Sequence, residues 1–456
     1  MDETTTWNDT LGSDDPQRTL EEFPVLLTIY SPEGTVCTDS CRVVSPFTVG
    51  RSPDCDLTVH HGKISRHHFY LKKREKGFEI EDAGSKNGTY LMGGRLVEKQ
   101  LLPNSAVIRA GESVFVFENE GRELVEPPPA IRFGMAGRFH VGPLIRRLRE
   151  AAASSRHCLL AGPSGSGKEM AARALTAMMT EDGNRERCVL SHNAARFASE
   201  EEAATTLFGV ASRVFSGVDA RPGLIEEAGG GVLFLDEAHC LPTRIQKSLL
   251  RVIEEGTFAR IGETKERPTD VRFVLSTNLP SPSYGLVHDL RARLRVASVP
   301  ALSERIADIP SIFNSLLIQS GDDRSLDIAA LSHAVGSRHL EQLMCHGFQE
   351  DNVRGLLDIV DRLTTRCRVG VAPRDAVSSV FREVFGTERV GVAVGFKGEN
   401  TSDSHYEAFK EQILKAYHDC NFNISALERH LRNEQVTCSR RWLRHYLKEW
   451  GHYRER

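Results

Sequence analysis

The pattern of hydrophobic and polar positions changes along the chain, and each part predicts a different kind of structure. Over residues 22–120, short apolar runs such as VLLTIY, FTVG, FEIED and SVFVFE are separated by turn segments rich in Gly, Asn and Pro. Such runs are typical of an all-β sandwich or barrel. The segment that follows, EGRELVEPPPA, is charged and then proline-rich, so we interpret residues 121–135 as a linker.

The middle of the chain alternates buried-strand and helical patterns. The apolar runs HCLLAG, GVLFLDE and VRFVLSTN lie among amphipathic stretches such as KEMAARALTAMM and LPTRIQKSLLRVIEEG. This alternation predicts a parallel sheet with crossover helices over residues 136–302. Residues 303–367 have a helical pattern throughout and predict a smaller helical lid.

The last part of the chain predicts a second linker and a small helical domain. Residues 368–404 are rich in Gly, Val and polar residues, and amphipathic helical patterns resume over residues 405–456. The predicted fold class is therefore multidomain: an all-β sandwich, then an α/β domain with a helical lid, then a small all-α domain.

Composition narrows the class of protein. The 456 residues are 40% hydrophobic and 26% charged, which fits a globular chain of about three domains. The net charge of −4 argues against a general affinity for nucleic acid or membranes, so any such affinity must come from a local patch.

The N-terminal residues and the cysteines predict a cytoplasmic location. Residues 1–21 are acidic and polar, which predicts a disordered tail and not a signal peptide. No apolar run approaches the ~18 residues of a membrane span. The ten cysteines include no CxxC pair, so we expect reduced core residues and neither a zinc site nor disulfides.

A glycine-rich segment between a predicted strand and a predicted helix is the candidate nucleotide site. Its glycines let backbone N–H groups turn inward around phosphates, the helix N-terminus adds positive potential, and Lys168 can reach the β- and γ-phosphates of ATP. A purely structural glycine-rich turn is the alternative. The residues predicted to bind the nucleotide here are Gly162, Pro163, Ser164, Gly165, Ser166, Gly167, Lys168 and Glu169.

Two acids and an amide follow other predicted strands of the same domain. Glu169 stands where the general motif has Ser or Thr for Mg²⁺, so the metal needs another carboxylate. Asp236 can hold Mg²⁺ directly or through water, and Glu237 can polarise the attacking water. Asn278 can sense the γ-phosphate or orient that water. Alternatively, the two acids merely cap the next helix.

The N-terminal segment carries groups suited to phosphothreonine. Such a site needs a cationic fork, a hydroxyl donor and an amide that holds the peptide backbone. Arg51, Ser65 and Asn87 supply these three groups, and Arg66 adds charge. An ordinary β-sandwich with common turn residues is the alternative.

The same segment resembles a forkhead-associated (FHA) domain over about one hundred residues. The resemblance implies that His68 is structural and that Thr89 orders the loop bearing Asn87. It also implies a Ser/Thr kinase and a phosphothreonine protein as partners. The tail offers a second source of phosphothreonine, because Thr6 has Asp9 three residues further on. Once phosphorylated, Thr6 can be bound by the FHA domain of the same chain or of a neighbouring subunit.

Residues 136–366 resemble the AAA+ domain of bacterial sigma-54-dependent transcription activators. The resemblance rests on Glu169 in the P-loop, on the region RPGLIEEAGGGVLFLDEAHCLPTRIQKSLLRVIEEGTFARIGETK, and on NVRGLLDIVDR. It implies that Arg354 lies near the γ-phosphate. It also implies a ring, expected to be a hexamer, in which Arg293 serves the neighbour's nucleotide. The first arginine of that finger pair is replaced by Val287.

The segment LFGVASRVFSGV aligns with the loop that touches sigma-54 in this family. The resemblance assigns the contact to Phe215, Ser216 and Gly217. Arg213 stands in place of a glycine, and this predicts a stiffer and more positive loop because arginine enters the left-handed backbone region less easily.

The C-terminal residues predict DNA-binding helices. Residues of CSRRWLRHYLKEWG form an apolar stripe, and basic side chains lie mostly off it, where they can meet phosphates or base edges. The stretch resembles a Fis-type helix-turn-helix, although its turn, RNEQVTCS, is longer. A solvated basic helix face is the alternative. The predicted DNA-binding residues are Arg440, Arg441, Arg444 and Lys448.

Together these features predict an ATP- and Mg²⁺-dependent regulator that remodels sigma-54 RNA polymerase, is tethered to DNA upstream of promoters, and is controlled through its FHA domain. One alternative is a phosphopeptide-responsive, DNA-bound protein that binds nucleotide but barely hydrolyses it. Another is an AAA+ remodeller of other proteins. The first interpretation predicts ATPase activity, whereas the nucleotide-binding alternative predicts very little.

Overall fold

The computed structural model describes residues 23–32, 40–121, 131–132, 134–137, 141–154, 156–181, 189–212, 220–322 and 326–386, together with residues 414, 415, 417, 418, 427 and 447. The acidic tail, most of the first linker, and the predicted sigma-54 contact at Phe215, Ser216 and Gly217 lie outside the described residues. So do the predicted DNA-binding residues Arg440, Arg441, Arg444 and Lys448.

Two β-sheets packed face to face form the N-terminal domain, which confirms the predicted all-β sandwich. One sheet has the strand order β2-β1-β11-β10-β7-β8 and the other β4-β3-β5-β6-β9. The core between them contains Leu26, Phe69 and Phe115. The strands are β1 Phe23–Tyr30, β2 Ser40–Arg42, β3 Phe47–Gly50, β4 Leu57–Thr58, β5 Phe69–Arg74, β6 Gly77–Asp82, β7 Thr89–Leu91, β8 Gly94–Arg95, β9 Gln100–Leu101, β10 Ala106–Ala110 and β11 Ser113–Gly121.

The second domain has a five-stranded sheet, ordered β15-β18-β21-β14-β22, in which all neighbouring strands are parallel. Helices cover both faces, so the strands read as near-continuous apolar runs. The remaining strands of the chain are β12 Ile131–Arg132, β13 Met135–Ala136, β14 His157–Ala161, β15 Val189–Asn193, β16 Gly209–Val210, β17 Arg221–Pro222, β18 Val232–Asp236, β19 Thr257–Phe258, β20 Arg267–Pro268, β21 Arg272–Thr277 and β22 Leu294–Ser298.

The helices divide into those that cover the parallel sheet and those of the lid. Helices α1–α6 belong to the α/β domain, and α7–α11 form the lid. They are α1 Val141–Ala153, α2 Lys168–Glu181, α3 Glu200–Phe208, α4 Leu224–Glu227, α5 Thr243–Glu255, α6 His288–Arg293, α7 Ile309–Gln319, α8 Ile328–Ala334, α9 Ser337–His346, α10 Val353–Arg368 and α11 Pro373–Phe385. Within the described part of the chain, none of the helices combines the length and apolar character that a bilayer crossing demands.

The structure corrects the start of the second predicted linker, which was placed at residues 368–404. Helix α11 occupies residues 373–385 and packs against α8 and α10 of the lid. It forms because Pro373 begins the helix and because Ala376, Val377, Val380 and Phe381 share a buried face.

The first predicted linker, residues 121–135, also contains ordered structure. Strands β12 and β13 pair as a short antiparallel hairpin. Met135 is buried in the core of the α/β domain, and Ala136 is buried against the lid. The hairpin thus belongs to the second domain, and the linker ends before it.

Candidate functional sites

The glycine-rich segment forms a tight loop between β14 and helix α2. Gly165 and Gly167 have positive φ angles of 74° and 99°. A Cβ on Gly165 would lie 2.6 Å from the carbonyl oxygen of Asp351, and one on Gly162 would lie 2.3 Å from that of Val299. Glycine is therefore required here for two reasons, the left-handed backbone and the close approach of other chain segments.

Lys168 begins helix α2 with its side chain folded over this loop. Its Nζ donates to the carbonyl oxygens of Gly162 at 2.9 Å and Pro163 at 3.1 Å. The residue is buried, and burial lowers the pKa of its ammonium group, whereas the carboxylates of Glu237 and Asp236 oppose this shift. The lysine thus lies in the field of both predicted catalytic acids.

Asp236 and Glu237 lie at the carboxyl edge of the parallel sheet, where β18 ends between β15 and β21. Asn193 is opposite Asp236 in the register of β15 and β18, and its Nδ2 lies 3.4 Å from Asp236 Oδ2. The Ser276 hydroxyl donates to Asp236 Oδ1 and accepts from the Glu237 N–H at 3.2 Å. The fully buried Ser276 hydroxyl therefore fixes both acids at once.

Glu237 adopts a left-handed backbone conformation with φ of 51°, which is uncommon for a residue other than glycine and costs about 1–3 kcal/mol. Its carboxylate lies 3.5 Å from His239 Nδ1. The same ring nitrogen is 3.3 Å from Thr277 Oγ1. This strained turn holds the acid beside the end of β21.

The donor set fits a magnesium ion and a polyphosphate. Magnesium prefers carboxylate oxygens and water, and Asp236 supplies a half-buried carboxylate close to Lys168. The glycine cradle leaves backbone space that any Cβ would fill.

The lid contacts the phosphate loop directly. Arg354 Nη1 donates to Ser164 Oγ at 3.0 Å, and Asn352 Nδ2 donates to the Ser164 carbonyl at 2.9 Å. The Val353 N–H donates to the Gly165 carbonyl at 3.1 Å. Arg354 therefore lies at the loop, in contact with Ser164.

A buried arginine braces the loop from the start of the lid. Arg305 Nη2 donates to the Ser166 carbonyl at 2.6 Å. Burial lowers the pKa of this guanidinium, and Asp308 and Glu304 oppose the shift. Arg305 thus contacts the loop at Ser166, whereas Arg354 contacts it at Ser164.

For three other predicted residues, the structure gives no side-chain hydrogen bond or ion pair with the phosphate loop among the described residues. Glu169 is exposed and pairs with Arg173 at 2.8 Å, one turn along the helix. Arg293 lies on α6 and pairs with Glu254 at 2.7 Å. Asn278 is half-buried just beyond β21. The structure therefore brings together the loop, Lys168, the acid pair and Arg354, and leaves Glu169 and Arg293 on other surfaces.

The predicted phosphopeptide residues lie on three adjacent loops of the sandwich. The Arg51 N–H donates to the Ser65 carbonyl at 2.9 Å. Ser65 Oγ accepts from the Lys86 N–H at 3.0 Å, next to Asn87. Within the described part of the chain, no hydrogen bond or ion pair involves the exposed guanidinium groups of Arg51 and Arg66. Two cations, a hydroxyl and an amide thus share one surface.

Buried groups beneath this surface hold the loops in place. The Ser65 N–H donates to His68 Nδ1 at 3.0 Å, and His68 Nε2 donates to the Gly88 carbonyl at 3.3 Å. Thr89 Oγ1 donates to Asp82 at 2.5 Å. Burial lowers the pKa of His68, so the neutral ring can both accept and donate. His68 thus connects Ser65 with Gly88, and Thr89 is tied to Asp82.

The ends of the predicted sigma-54 contact loop are described, although its centre is not. Strands β16 and β17 pair antiparallel on either side of residues 211–220. A Cβ on Gly223 would lie 2.3 Å from the Gly209 nitrogen, so the two ends touch backbone to backbone. The Ala211 N–H also donates to the Ile261 carbonyl at 3.0 Å. We call this arrangement of β16, β17 and Ile261 the loop clamp.

Sequence reasoning missed four residues of the candidate nucleotide site. They are Asn193, Ser276, Arg305 and Asn352. Ser276 and Asn193 could have been predicted from the sequence. Both are polar residues near the end of a predicted strand, and parallel strands bring their carboxyl ends to one edge of the sheet. Nothing in the local sequence marks Arg305 or Asn352, whose contacts depend on how the lid is placed.

Comparisons with known proteins support both domains. A family model described as the sigma-54 interaction domain matches residues 138–299, and one described as the FHA domain matches residues 47–111. The sigma54-dependent transcriptional regulator SfnR of Pseudomonas fluorescens is 32% identical over 240 residues, which cover 51% of this chain and 63% of SfnR. The response regulator protein PilR of Pseudomonas aeruginosa is 30% identical over 321 residues, covering 68% of this chain and 67% of PilR.

Among solved structures, that of NtrX from Brucella abortus is similar at 26% identity with a TM-score of 0.45, covering 68% of this chain and 67% of that chain. The chain spans less than two thirds of some of its curated relatives, 63% in the case of SfnR.

The fold and the two domain matches define a P-loop protein of the AAA+ class that also carries an FHA domain. The chain belongs to the family of sigma-54-dependent transcriptional regulators. The predicted resemblances to both families are therefore confirmed.

Proposed function

We propose that this protein is an ATP-dependent regulator that remodels sigma-54 RNA polymerase under the control of phosphothreonine recognition by its FHA domain. One observation carries the proposal. A glycine cradle that excludes any side chain is closed by Lys168, faces the acid pair Asp236 and Glu237, and is contacted by Arg354 of the lid.

The residues of the nucleotide site divide the work of binding and hydrolysis. The loop N–H groups and Lys168 bind the phosphates, for which Lys168 exchanges its two carbonyl partners for phosphate oxygens. Asp236 would hold Mg²⁺, which when bound neutralises phosphate charge. Glu237 would polarise the attacking water, and Asn278 would sense the γ-phosphate or orient that water.

The site is proposed to be completed by a neighbouring subunit in a ring, expected to be a hexamer. Arg293 is half-exposed on α6 and contacts Glu254 and not the phosphate loop of its own subunit. To serve the neighbour's nucleotide it must leave Glu254. An exposed ion pair of this kind contributes only ~0.2–1 kcal/mol, so the exchange is energetically feasible.

The FHA surface is proposed to bind phosphothreonine on a protein partner or on the tail of this chain. Arg51 and Arg66 would contact the phosphate, Ser65 would donate its hydroxyl, and Asn87 would hold the peptide backbone. The rigid frame beneath them, including Thr89, supports this assignment. The phosphate would come from a Ser/Thr kinase.

The contacts with sigma-54 and with DNA rest on family membership and on the sequence. Phe215, Ser216 and Gly217 lie in the segment that the loop clamp encloses, and this supports a role as a presented loop. Arg440, Arg441, Arg444 and Lys448 are proposed to tether the protein to DNA.

The test is ATP turnover measured over a wide range of protein concentration, together with transcription by sigma-54 polymerase in vitro. The proposal expects turnover that rises with assembly. It also expects transcription that is lost on Lys168→Ala and on Phe215→Ala, with Phe215→Ala retaining ATP hydrolysis.

The alternative is a DNA-bound regulator that binds nucleotide without appreciable hydrolysis. It is favoured by Val287 at the start of α6, where the first arginine finger is expected, and by the engagement of Arg293 with Glu254. Nucleotide binding without turnover at any concentration would establish this alternative and reject the activator.

A further inference from the structure

The six-stranded sheet of the FHA domain is apolar on both faces. Along β1, Leu26 points into the sandwich, whereas Val25, Leu27 and Ile29 point outward into a core shared with the lid. Antiparallel sheets commonly leave one face to water. An outer face made of such residues, each no more than 2% exposed, is therefore built to be covered.

Lid helix α9 covers this face. It packs against β10 and β11, whose outward residues Val107, Val114 and Val116 belong to the same buried cluster as Leu340 and Leu343 of the helix. The FHA domain and the lid thus share one continuous core, although another subdomain lies between them in the sequence.

A buried ion pair fixes the register of this contact. Arg109 Nε of β10 donates to Glu341 Oε2 of α9 at 2.5 Å, and the two side chains are 11% and 4% exposed. The Arg109 guanidinium also lies 3.8 Å from the centre of the Tyr90 ring. Burial raises the pKa of Glu341, and Arg109 opposes the shift. Such a pair is costly to separate, because each charge is left buried and alone.

One side of the pair leads to the phosphopeptide surface. Arg109 is opposite Tyr90 in the register of β10 and β7, and Thr89 is the next residue on β7. Arg109 Nη1 donates to the Gly111 carbonyl at 3.3 Å. A Cβ on Gly111 would lie 2.8 Å from the Lys63 carbonyl, which accepts from Asn87 Nδ2 at 2.6 Å.

On the other side of the pair, helix α9 connects Glu341 with the candidate nucleotide site. Helix α9 ends at His346, and Phe348 is buried just beyond it. The Asn352 N–H donates to the Phe348 carbonyl at 2.8 Å. Asn352 and Arg354 then contact Ser164 of the phosphate loop. A few residues therefore separate the end of the helix that bears Glu341 from the P-loop.

We propose that the FHA domain and the lid move as one body, so that occupancy of the phosphopeptide surface and of the nucleotide site are thermodynamically linked through the Arg109–Glu341 contact. This inference rests on the proposed nucleotide site. Linkage of this kind is reciprocal, so nucleotide must change phosphopeptide affinity by the same factor as a phosphopeptide changes nucleotide affinity. If the two domains move as one body, nucleotide must also change the stability of the FHA strands, and this can be tested with nucleotide alone.

The test is amide hydrogen exchange of the full chain with and without ADP and Mg²⁺. We expect slower exchange in residues 162–170 and, in addition, exchange slowed by about fivefold or more in β7, β10 and β11. Protection of the P-loop with no change in these strands would overturn the inference and leave the nucleotide site intact. No protection of the P-loop would overturn both.

Two variants and a control test whether the Arg109–Glu341 pair links the nucleotide site to the FHA strands. Glu341→Gln keeps the shape of the side chain, and it is expected to retain P-loop protection while losing the change in β10 and β11. The double variant Arg109→Met with Glu341→Met keeps an apolar contact and should lose the same response if Glu341→Gln folds poorly. Glu79→Gln, which breaks the exposed pair with Arg74 on the same domain, should respond like the wild type. Wild-type coupling in the double variant would exclude the pair.

Discussion

The candidate nucleotide site and the candidate phosphopeptide surface both present groups suited to phosphate, yet they are built in opposite ways. At the P-loop the cation is buried, the acids are half-buried, and the lid closes over the backbone. On the FHA domain the cations Arg51 and Arg66 are exposed, and only the frame beneath them is buried. Burial strengthens electrostatic interactions, which suits a site where charge develops during a reaction. An exposed surface suits a partner that must leave again.

The largest effect is expected where the buried cation is removed. Lys168→Ala should lower ATP hydrolysis by about 10²–10³-fold, because the lysine lies against the loop and facing both acids. Steady-state ATPase assays measure this effect. Arg173→Ala, five residues further along the same helix and exposed, is the matched control. Equal rates for the two variants would contradict the contrast between buried and exposed cations.

Histidines whose pKa is lowered by desolvation make stability depend on pH, and the strongest case is His157, which is half-buried at the start of β14. Burial, together with the nearby Arg272, lowers the pKa of His157 to about 4. Its Nδ1 accepts from the Phe273 N–H at 3.0 Å. The unfolded chain binds a proton near pH 6.5 but the folded chain does not, so stability falls as the pH drops from about 6.5 towards 4, by about 3 kcal/mol.

Thermal unfolding followed between pH 7.5 and 4.5 measures this loss. His157→Gln should flatten the profile of the α/β domain, whereas replacing the exposed His288 should leave it unchanged. An identical slope in wild type and His157→Gln would show that other groups cause the loss.

At the exposed surface a smaller effect is expected. Arg51→Ala should weaken binding to phosphothreonine peptides by about 10–100-fold, since a hydrogen bond to a charged group contributes about 1.5–3 kcal/mol. Nucleotide affinity in the absence of peptide should not change. Binding to an array of phosphothreonine peptides tests this, with Arg74→Ala as an exposed control on the same domain. Equal loss in both variants would indicate a general charge effect.

The smallest effect is expected from the hydroxyl that supports the acid pair. Ser276→Ala should lower kcat about tenfold with little change in KM, because Ser276 orients Asp236 and the Glu237 backbone. Partial recovery in Ser276→Thr would distinguish positioning from a loss of folding. A change confined to KM would count against the proposed role.

Much of both sites could be predicted from the sequence because their motifs are local. The glycine loop needs residues close in sequence, and the strand-end acids are set by one strand. The lid contacts could not be predicted in this way, since Asn352 and Arg305 reach the loop from distant segments. The sequence pattern predicts a linker where helix α11 lies. The buried face of this helix, Ala376 to Phe381, is short and lies in a polar stretch.

The sequence does contain an indication of the core shared by the FHA domain and the lid. In VLLTI and SVFVF, apolar residues follow one another without the polar alternation of a half-exposed strand. Continuous runs of this kind indicate burial on both faces. The partner for the second face could not be inferred, because the lid that supplies it lies in a different part of the sequence.

The loop clamp has a consequence for distance. Because Gly209 and Gly223 touch backbone to backbone, the two ends of the segment 211–220 lie next to each other. Half of that length, fully extended, is about 17 Å. Any molecule that the segment touches must therefore come within about that radius of the clamp, whatever the shape of the rest of the assembly. The ten residues between β16 and β17 set the working range of the contact.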